Sequence, residues 1–110
     1  MIEKVLAEVI AKFNDKAATD EKLQSELAGI SRTILLKLDD GRSFHFSLSD
    51  GKASDLRVGD IKDPDICLES DENTILALYR REMRVMKALA LKKLRVDSSL
   101  EDMLRLRKFF

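Results

Sequence analysis

The spacing of apolar residues along the first thirty positions predicts two helices. Apolar side chains recur every three or four positions at Ile2, Val5, Leu6, Val9, Ile10 and Phe13. This spacing is typical of an amphipathic helix, which we expect to end near Asn14. A second, shorter helix is predicted after an N-cap at Thr19 or Asp20. Its inward residues are Leu23 and Leu27, and the glycine that follows them is expected to end it.

Between residues 33 and 58 apolar and polar positions alternate, which predicts β-strands. The apolar positions are Ile34, Leu36 and Leu38 in the first run and Phe44, Phe46 and Leu48 in the second. Asp-Gly pairs at 40–41 and 50–51 are strong signals for hairpin turns. A third, more polar strand is expected between Ala53 and Val58. The region therefore predicts a three-stranded antiparallel meander with one apolar face.

The rest of the chain predicts two more strands and three more helical segments. In order, these are a fourth strand over 65–69, a helix capped by Ser70 or Asp71, a helix from Arg81 or Glu82 to Leu89, a fifth strand around Leu94 and Val96, and a C-terminal helix opened by a capping box of Ser98 and Glu101. No internal repeat or domain boundary interrupts this order.

Composition is typical of a globular protein with one domain, spanning residues 1–110. The hydrophobic share is 45%, and a chain of this length buries enough surface for one core. The single cysteine, Cys67, excludes an internal disulfide. No apolar run approaches the ~20 residues of a membrane span. The N-terminal sequence has the pattern of an amphipathic helix rather than that of a signal peptide. The expected location is therefore the cytoplasm.

Charge is unevenly distributed, although the formal net charge is zero. Residues 1–78 carry 10 basic and 16 acidic side chains, whereas residues 79–110 carry 10 basic and 4 acidic ones. This asymmetry suits either an anionic partner for the basic part or attraction between two faces of the fold or between subunits. Nucleic acid is not expected as a partner, because few aromatic residues stand among these cations.

No residue pattern indicates a catalytic, metal or cofactor site. His45 alternates with Ser43 and Ser47 on the polar side of a strand, but no acidic residue is placed to orient its ring. The acidic residues at 60, 63 and 65 lack the glycine and terminal glutamate of a calcium loop. We therefore expect neither an enzyme nor a bound metal or cofactor.

The methionines of the second half allow two interpretations. Met83, Met86 and Met103 take inward positions in the predicted helices. Methionine fills irregular gaps in cores, and it also lines surfaces that accommodate varied apolar ligands. The pattern alone therefore leaves core packing and ligand lining both open.

Several landmarks follow one another along nearly the whole chain. They are Phe13-Asn14 at the end of the first helix, Leu-Gln-Ser-Glu-Leu-Ala-Gly over 23–29, the turns at 40–41 and 50–51, Pro64-Asp65-Ile66-Cys67-Leu68 before the helical cover, and Lys93-Leu94-Arg95-Val96 as a late basic strand. In this order and spacing they resemble the sterol carrier protein type 2 domain family. The chain departs from that family at Arg81-Glu82-Met83-Arg84, where members often carry a Gly/Pro segment. This departure predicts a more continuous helical cover.

The resemblance implies an α+β fold of two layers. Its five-stranded, mostly antiparallel sheet would be covered on one face by helices, with a hydrophobic tunnel enclosed between them. The resemblance also implies lipid binding and lipid transport, with a fatty acid, fatty acyl-CoA, phospholipid or sterol as cargo. The leading hypothesis is therefore a lipid carrier whose partners are a lipid or fatty acyl ligand and, transiently, an anionic membrane surface.

Two sets of residues are predicted for the lipid site. The apolar wall is expected to consist of Phe44, Phe46, Leu48, Leu76, Tyr79, Met83, Met86, Met103 and Leu104. The headgroup, an anion, is expected to be bound by Arg80, Arg84, Lys92 and Lys93. The alternative hypothesis is a non-catalytic protein–protein interaction module or homodimer that uses the apolar C-terminal helices, with Phe109-Phe110 as its anchor.

Overall fold

The computed structural model describes residues 2–106, with side chains described as far as Leu104. Its elements are α1 (Ile2–Thr19), α2 (Glu21–Leu27), β1 (Ser31–Leu38), β2 (Ser43–Ser49), β3 (Lys52–Ala53), β4 (Arg57–Val58), β5 (Ile66–Ser70), α3 (Glu72–Tyr79), α4 (Val85–Ala90), β6 (Arg95–Asp97) and α5 (Leu100–Leu106). None of the helices within these described residues is long and apolar enough to cross a membrane.

The strands form one mixed sheet in the order β3-β2-β1-β5-β6, with β4 also paired to β2. Strand β1 pairs antiparallel with β2 and parallel with β5, while β6 pairs antiparallel with β5. The predicted α+β class and the mostly antiparallel sheet are confirmed. Residues 2–106 contain six strands rather than five because residues 54–56 interrupt the predicted third strand. There the Ser54 hydroxyl accepts a hydrogen bond from Ser47 N.

One face of the sheet is apolar and carries the core. The pairs Ile34–Phe46 and Leu36–Phe44 place these four side chains on that face, and Leu36 also pairs with Leu68. Helices α1 and α3 lie over the same face, and their buried residues join the same core cluster. The helices therefore cover one face of the sheet, as the sequence predicts.

The opposite face is crossed by the segment that connects β4 to β5. Strand β5 lies on the far side of β1 from β2, so residues 59–65 pass across the sheet. Gly59 N donates to Ser43 O, and Lys37 forms an ion pair with Asp60 at 3.9 Å. These contacts hold the segment against the outer face, where Leu35 is 1% exposed.

Helix α1 continues to Thr19, so the predicted end near Asn14 is wrong. Asn14 does not end the helix because its side chain is bonded to the sheet. Its Oδ1 accepts from Ala53 N at 2.8 Å, and its Nδ2 donates to Ala53 O at 2.9 Å. The next helix starts as predicted, since the Asp20 carboxylate accepts from Leu23 N at 3.0 Å.

The predicted helix over 81–89 begins only at Val85, so the expectation of a continuous helical cover is wrong. Helix α3 ends in a Schellman motif in which Arg81 N donates to Leu78 O and Arg81 adopts a φ of +60°. The same motif ends α4, with Lys92 at a φ of +59°. Glycine is usual at these positions. Because cations replace it here, the amino-acid pattern carries no stop signal.

Helix α5 begins at Leu100, and its N-cap is Ser99 rather than the predicted Ser98. The Ser99 hydroxyl accepts from Asp102 N at 3.2 Å, whereas the Ser98 hydroxyl donates to Ser99 O. The predicted capping box is therefore wrong by one residue. Asp102 is buried, and Arg32 Nε donates to its two carboxylate oxygens at 3.1 and 3.0 Å, which ties α5 to β1.

Candidate functional site

A cavity of about 420 Å³ lies between the apolar sheet face and helices α1 and α3. Helix α1 contributes Val5, Leu6, Val9, Ile10 and Phe13. The sheet contributes Ile34, Leu36, Phe44, Phe46 and Leu68, and the wall is completed by Leu56, Ile75, Leu78 and Leu94. The volume falls within the ~300–1,000 Å³ that is usual for small-molecule sites. Because all these side chains are hydrocarbon, the cavity suits an apolar chain.

Helix α1 forms the roof of the cavity because polar contacts fix it at separate points. In its second half, Asn14 binds the edge strand β3, and Gln24 Nε2 of α2 donates to Ala17 O at 2.6 Å. In its first half, the Tyr79 hydroxyl of α3 donates to the Glu8 carboxylate. Between these points the apolar stripe of α1 faces the cavity. The roof is thus held in place without filling the space beneath it.

Three cationic side chains stand where the cavity meets solvent, and we call them the rim. Lys12 and Lys16 come from α1 and Arg81 from the turn after α3; all three line the cavity and are exposed. Lys16 and Arg81 have no ion-pair partner among residues 2–104. The rim therefore offers a positive potential to a carboxylate or phosphate.

Tyr79 connects the roof to α3 beside the rim. Lys12 Nζ lies 5.2 Å from the centroid of the Tyr79 ring, a distance typical of a cation–π contact. The hydrogen bond to Glu8 raises the pKa of Tyr79 above its ordinary value, because ionisation would place a phenolate beside a carboxylate. The neutral tyrosine is therefore the form that holds α1 to α3.

Of the residues predicted for the apolar wall, the structure places three in the cavity. Phe44 and Phe46 lie on its floor and Tyr79 at its edge. Leu48, on the same strand as the two phenylalanines, is buried in the core outside the cavity wall. Phe44 and Phe46 lie together because a strand places every second side chain on one face.

The other five predicted wall residues do not line the cavity. Leu76 and Met83 are half-buried and pack against the core from outside it. Met86 is 68% exposed and Leu104 is 51% exposed, while Met103 is half-buried on α5. Met86 points away because α4 starts at Val85 and turns its other side to the core. The cavity therefore brings together the floor and Tyr79 but not the methionines.

The four cations predicted for a headgroup lie around α4 instead of at the rim. Arg80 is the C-cap of α3 and Arg84 the N-cap of α4, while Lys92 and Lys93 follow α4. All four are exposed, and none of them lines the cavity. They flank the rim residue Arg81 in the sequence.

The contribution of α1 is what sequence reasoning missed. An apolar stripe indicates that a helix is buried, but it does not indicate that the helix faces an open volume. The spacing of two lysines on α1 does indicate where this helix meets solvent. Lys12 and Lys16 are four residues apart, so they lie on one side of α1 at the edge of its apolar stripe. Two cations at that edge mark where the stripe meets solvent.

Reactive groups lie away from the cavity. Among residues 2–104, no cluster of three or more His, Cys, Asp and Glu side chains is arranged to hold a metal ion. His45 pairs with Leu35 on the outer side of the sheet, and its Nδ1 is 2.9 Å from Gly59 O. Cys67 is half-buried on the same side, and desolvation raises the pKa of its thiol. A raised pKa disfavours the reactive thiolate.

Fold and cavity together define the class of protein: a small domain in which helices cover one face of a sheet above an apolar compartment. The family model of the SCP-2 sterol transfer family matches residues 10–110. The chain therefore belongs to this family, and the predicted resemblance is confirmed. Membership supports lipid binding or transfer in general terms.

Solved structures share this fold at low sequence identity. The SCP2 domain of the ubiquinone synthesis protein UbiJ has a TM-score of 0.70 and 12% identity, covering 98% of this chain and 91% of that one. Palmitated SCP2L2 from Aedes aegypti, solved by solution NMR, has a TM-score of 0.60 and 17% identity, covering 91% of this chain and 88% of that one. The inverting sec-alkylsulfatase Pisa1 from Pseudomonas sp. has a TM-score of 0.64 and 15% identity over 79% of this chain, which spans 14% of the sulfatase chain. No curated protein matches the chain.

Proposed function

We propose that this protein binds a fatty acid or fatty acyl-CoA in the cavity beneath α1 and carries it as cargo. The observation that carries the proposal is the hydrocarbon-lined cavity of about 420 Å³. Burial of an apolar chain there is favourable by roughly 0.8 kcal/mol per methylene. Family membership supports a lipid as the ligand, and a palmitated protein of the same fold supports an acyl chain in particular.

The rim favours an anionic head over a neutral one. Lys12, Lys16 and Arg81 converge on the opening from two different elements. A carboxylate or phosphate placed there would keep its solvation and gain charge-assisted hydrogen bonds. The apolar chain would then extend below α1, with Phe44 and Phe46 beneath it. The proposed lipid site thus keeps Phe44, Phe46 and Tyr79 from the sequence prediction and moves the headgroup contacts to the rim.

The test begins with native mass spectrometry of protein purified without detergent, followed by extraction and identification of any bound lipid. A fluorescent fatty acid then measures affinity in two variants of α1. Val9→Trp places an indole in the cavity, because Val9 lines it. If the indole displaces two or three methylenes of the ligand, affinity falls roughly fifteenfold to sixtyfold.

The matched control is Ala11→Trp, which places the same indole on the exposed side of α1. It should bind the fatty acid as the unmodified protein does. Thermal unfolding of both variants checks that they are folded. Equal affinity in folded Val9→Trp and unmodified protein would show that the acyl chain does not occupy this cavity, and the proposal would be rejected.

A homodimer is the second candidate function, and one observation on α5 favours it. Leu100 is 73% exposed and Leu104 is 51% exposed, and residues four apart share one side of a helix. The predicted anchor Phe109-Phe110 lies outside the described residues. Light scattering tests this candidate: a dimeric mass that becomes monomeric in Leu100→Gln supports it, and a monomeric mass of the unmodified protein rejects it.

A further inference from the structure

Helix α4 is apolar on the side that faces solvent as well as on the side that faces the core. Ala88 is buried, and Val85 and Leu89 pack against the core. The opposite side carries Met86, Lys87 and Ala90, followed by the C-cap residue Leu91, all of them exposed. Met86 is 68% exposed and Leu91 is 52% exposed. A surface helix normally turns polar residues outward, so a helix that is apolar on both sides is expected to be covered by a partner.

The chain around this helix is strongly basic. Residues 80–93 contain six Lys or Arg side chains and one acidic residue, Glu82. Arg84 precedes the exposed apolar side, Lys87 lies within it, and Lys92 follows it. Within the described residues, Arg84, Lys87 and Lys92 form no ion pair. The complementary partner must therefore be both anionic and able to accept apolar side chains.

We infer that the outward side of α4, together with Arg84 and Lys92, docks on an anionic lipid bilayer; we call these residues the α4 surface. A bilayer fits better than an acidic protein because the large exposed apolar side chains are few, Met86 and Leu91, and cations surround them. A stable protein interface needs about 800 Å² of complementary surface per partner and a core that is enriched in aromatic residues and depleted of lysine. The α4 surface has no aromatic residue and carries Lys87 within its apolar side. An interfacial membrane contact needs only apolar side chains at the acyl boundary with cations beside them.

The position of the α4 surface agrees with this role. Arg81 belongs to the same basic segment and also lines the cavity rim. Docking through α4 would therefore place the opening of the cavity close to the membrane. Attachment of the protein to vesicles is measured without any lipid uptake, so its result does not depend on whether the cavity binds a lipid.

Co-sedimentation with vesicles of phosphatidylcholine, with or without phosphatidylglycerol, measures the attachment of the full chain. The unmodified protein should sediment with the anionic vesicles only, and added salt should release it. Arg84→Gln combined with Lys87→Gln should weaken binding roughly twenty-fivefold, at about fivefold for each cation removed. Lys22→Gln combined with Lys52→Gln removes the same charge from exposed positions on α2 and β3, and should change binding by about twofold or less.

The apolar contribution is tested separately. Met86→Gln and Leu91→Gln should each weaken vesicle binding severalfold, whereas Val58→Gln, at an even more exposed apolar position on β4, should not. The inference is overturned if the unmodified protein does not sediment with anionic vesicles; an acidic protein would then be the partner to seek for α4. It is also overturned if Lys12→Gln with Lys16→Gln abolishes binding while the α4 variants retain it, because docking would then occur through α1.

Discussion

Removal of the Asn14 side chain should destabilise the protein because this side chain forms hydrogen bonds with both backbone polar groups of Ala53 in an edge strand. Strand β3 lies at the edge of the sheet, and Ala53, which is 2% exposed, turns its backbone N–H and C=O toward α1. The Asn14 amide binds both groups, as a neighbouring strand would. Asn14→Ala therefore loses two hydrogen bonds at about 1 kcal/mol each and leaves two backbone groups with poor access to water.

The expected loss is about 1.5 kcal/mol of unfolding free energy, after a gain of roughly 0.5 kcal/mol from the higher helix propensity of alanine. For a domain of this size, a loss of about 1.5 kcal/mol lowers Tm by roughly 7 °C. Urea unfolding followed by circular dichroism measures the loss, with an unchanged m-value as the sign that the fold is intact.

The matched control is Asn73→Ala, since Asn73 is exposed in the first turn of α3 and forms no side-chain hydrogen bond within residues 2–104. It should change the unfolding free energy by about 0.5 kcal/mol or less. A loss below about 0.5 kcal/mol in Asn14→Ala would refute the argument, because it would mean that water replaces the amide at no cost.

Two further predictions concern the rim of the cavity. The pKa of Tyr79, read from phenolate absorbance, should lie above its ordinary value of about 10 and should fall in Glu8→Gln. The hydrogen bond from Tyr79 to α1 is therefore present at neutral pH and is lost as pH rises through the folded-state pKa of Tyr79. An unchanged Tyr79 pKa in Glu8→Gln would contradict the role of this hydrogen bond. The double variant Lys16→Gln with Arg81→Asn should weaken binding of a fatty acid about threefold to twentyfold and leave binding of a fatty alcohol of equal length unaffected; asparagine is chosen because it tolerates the positive φ of residue 81. Equal losses for both ligands would mean that the rim does not bind the head of the ligand. Lys22→Gln serves as the control.

Much of the fold could be predicted because its signals are local. The alternation at Phe44 and Phe46 identifies the floor of the cavity, and Asp20 marks a helix start that the structure confirms. In each case the structure depends on residues that lie within a few positions of one another in the sequence. Local patterns therefore predicted the strands of the meander and the order of the elements.

The helix ends and the site were harder to predict because their determinants are distant or unusual. Asn14 binds a residue 39 positions away, so its local tendency to end a helix does not decide where α1 stops. Arg81 and Lys92 adopt backbone conformations that usually signal glycine. The methionines were expected in the wall because they take inward positions in the predicted helices, but α4 begins at Val85 and leaves Met86 exposed. Whether a volume under α1 is open or filled depends on packing, which periodicity does not report.

The parallel pairing of β1 with β5 has a consequence for how the chain folds. Ile34 pairs with Phe46 across a short hairpin, but its other neighbour, Ile66, arrives only after the intervening strands and their connecting segment. During synthesis one edge of β1 therefore stays open along the run Ile34-Leu35-Leu36, a segment of the kind that recruits strands from other molecules. Arg32 and Lys37 flank this run, where like charges on neighbouring molecules repel. Charge repulsion at these two positions is therefore expected to disfavour pairing of β1 with a second molecule until β5 closes this edge.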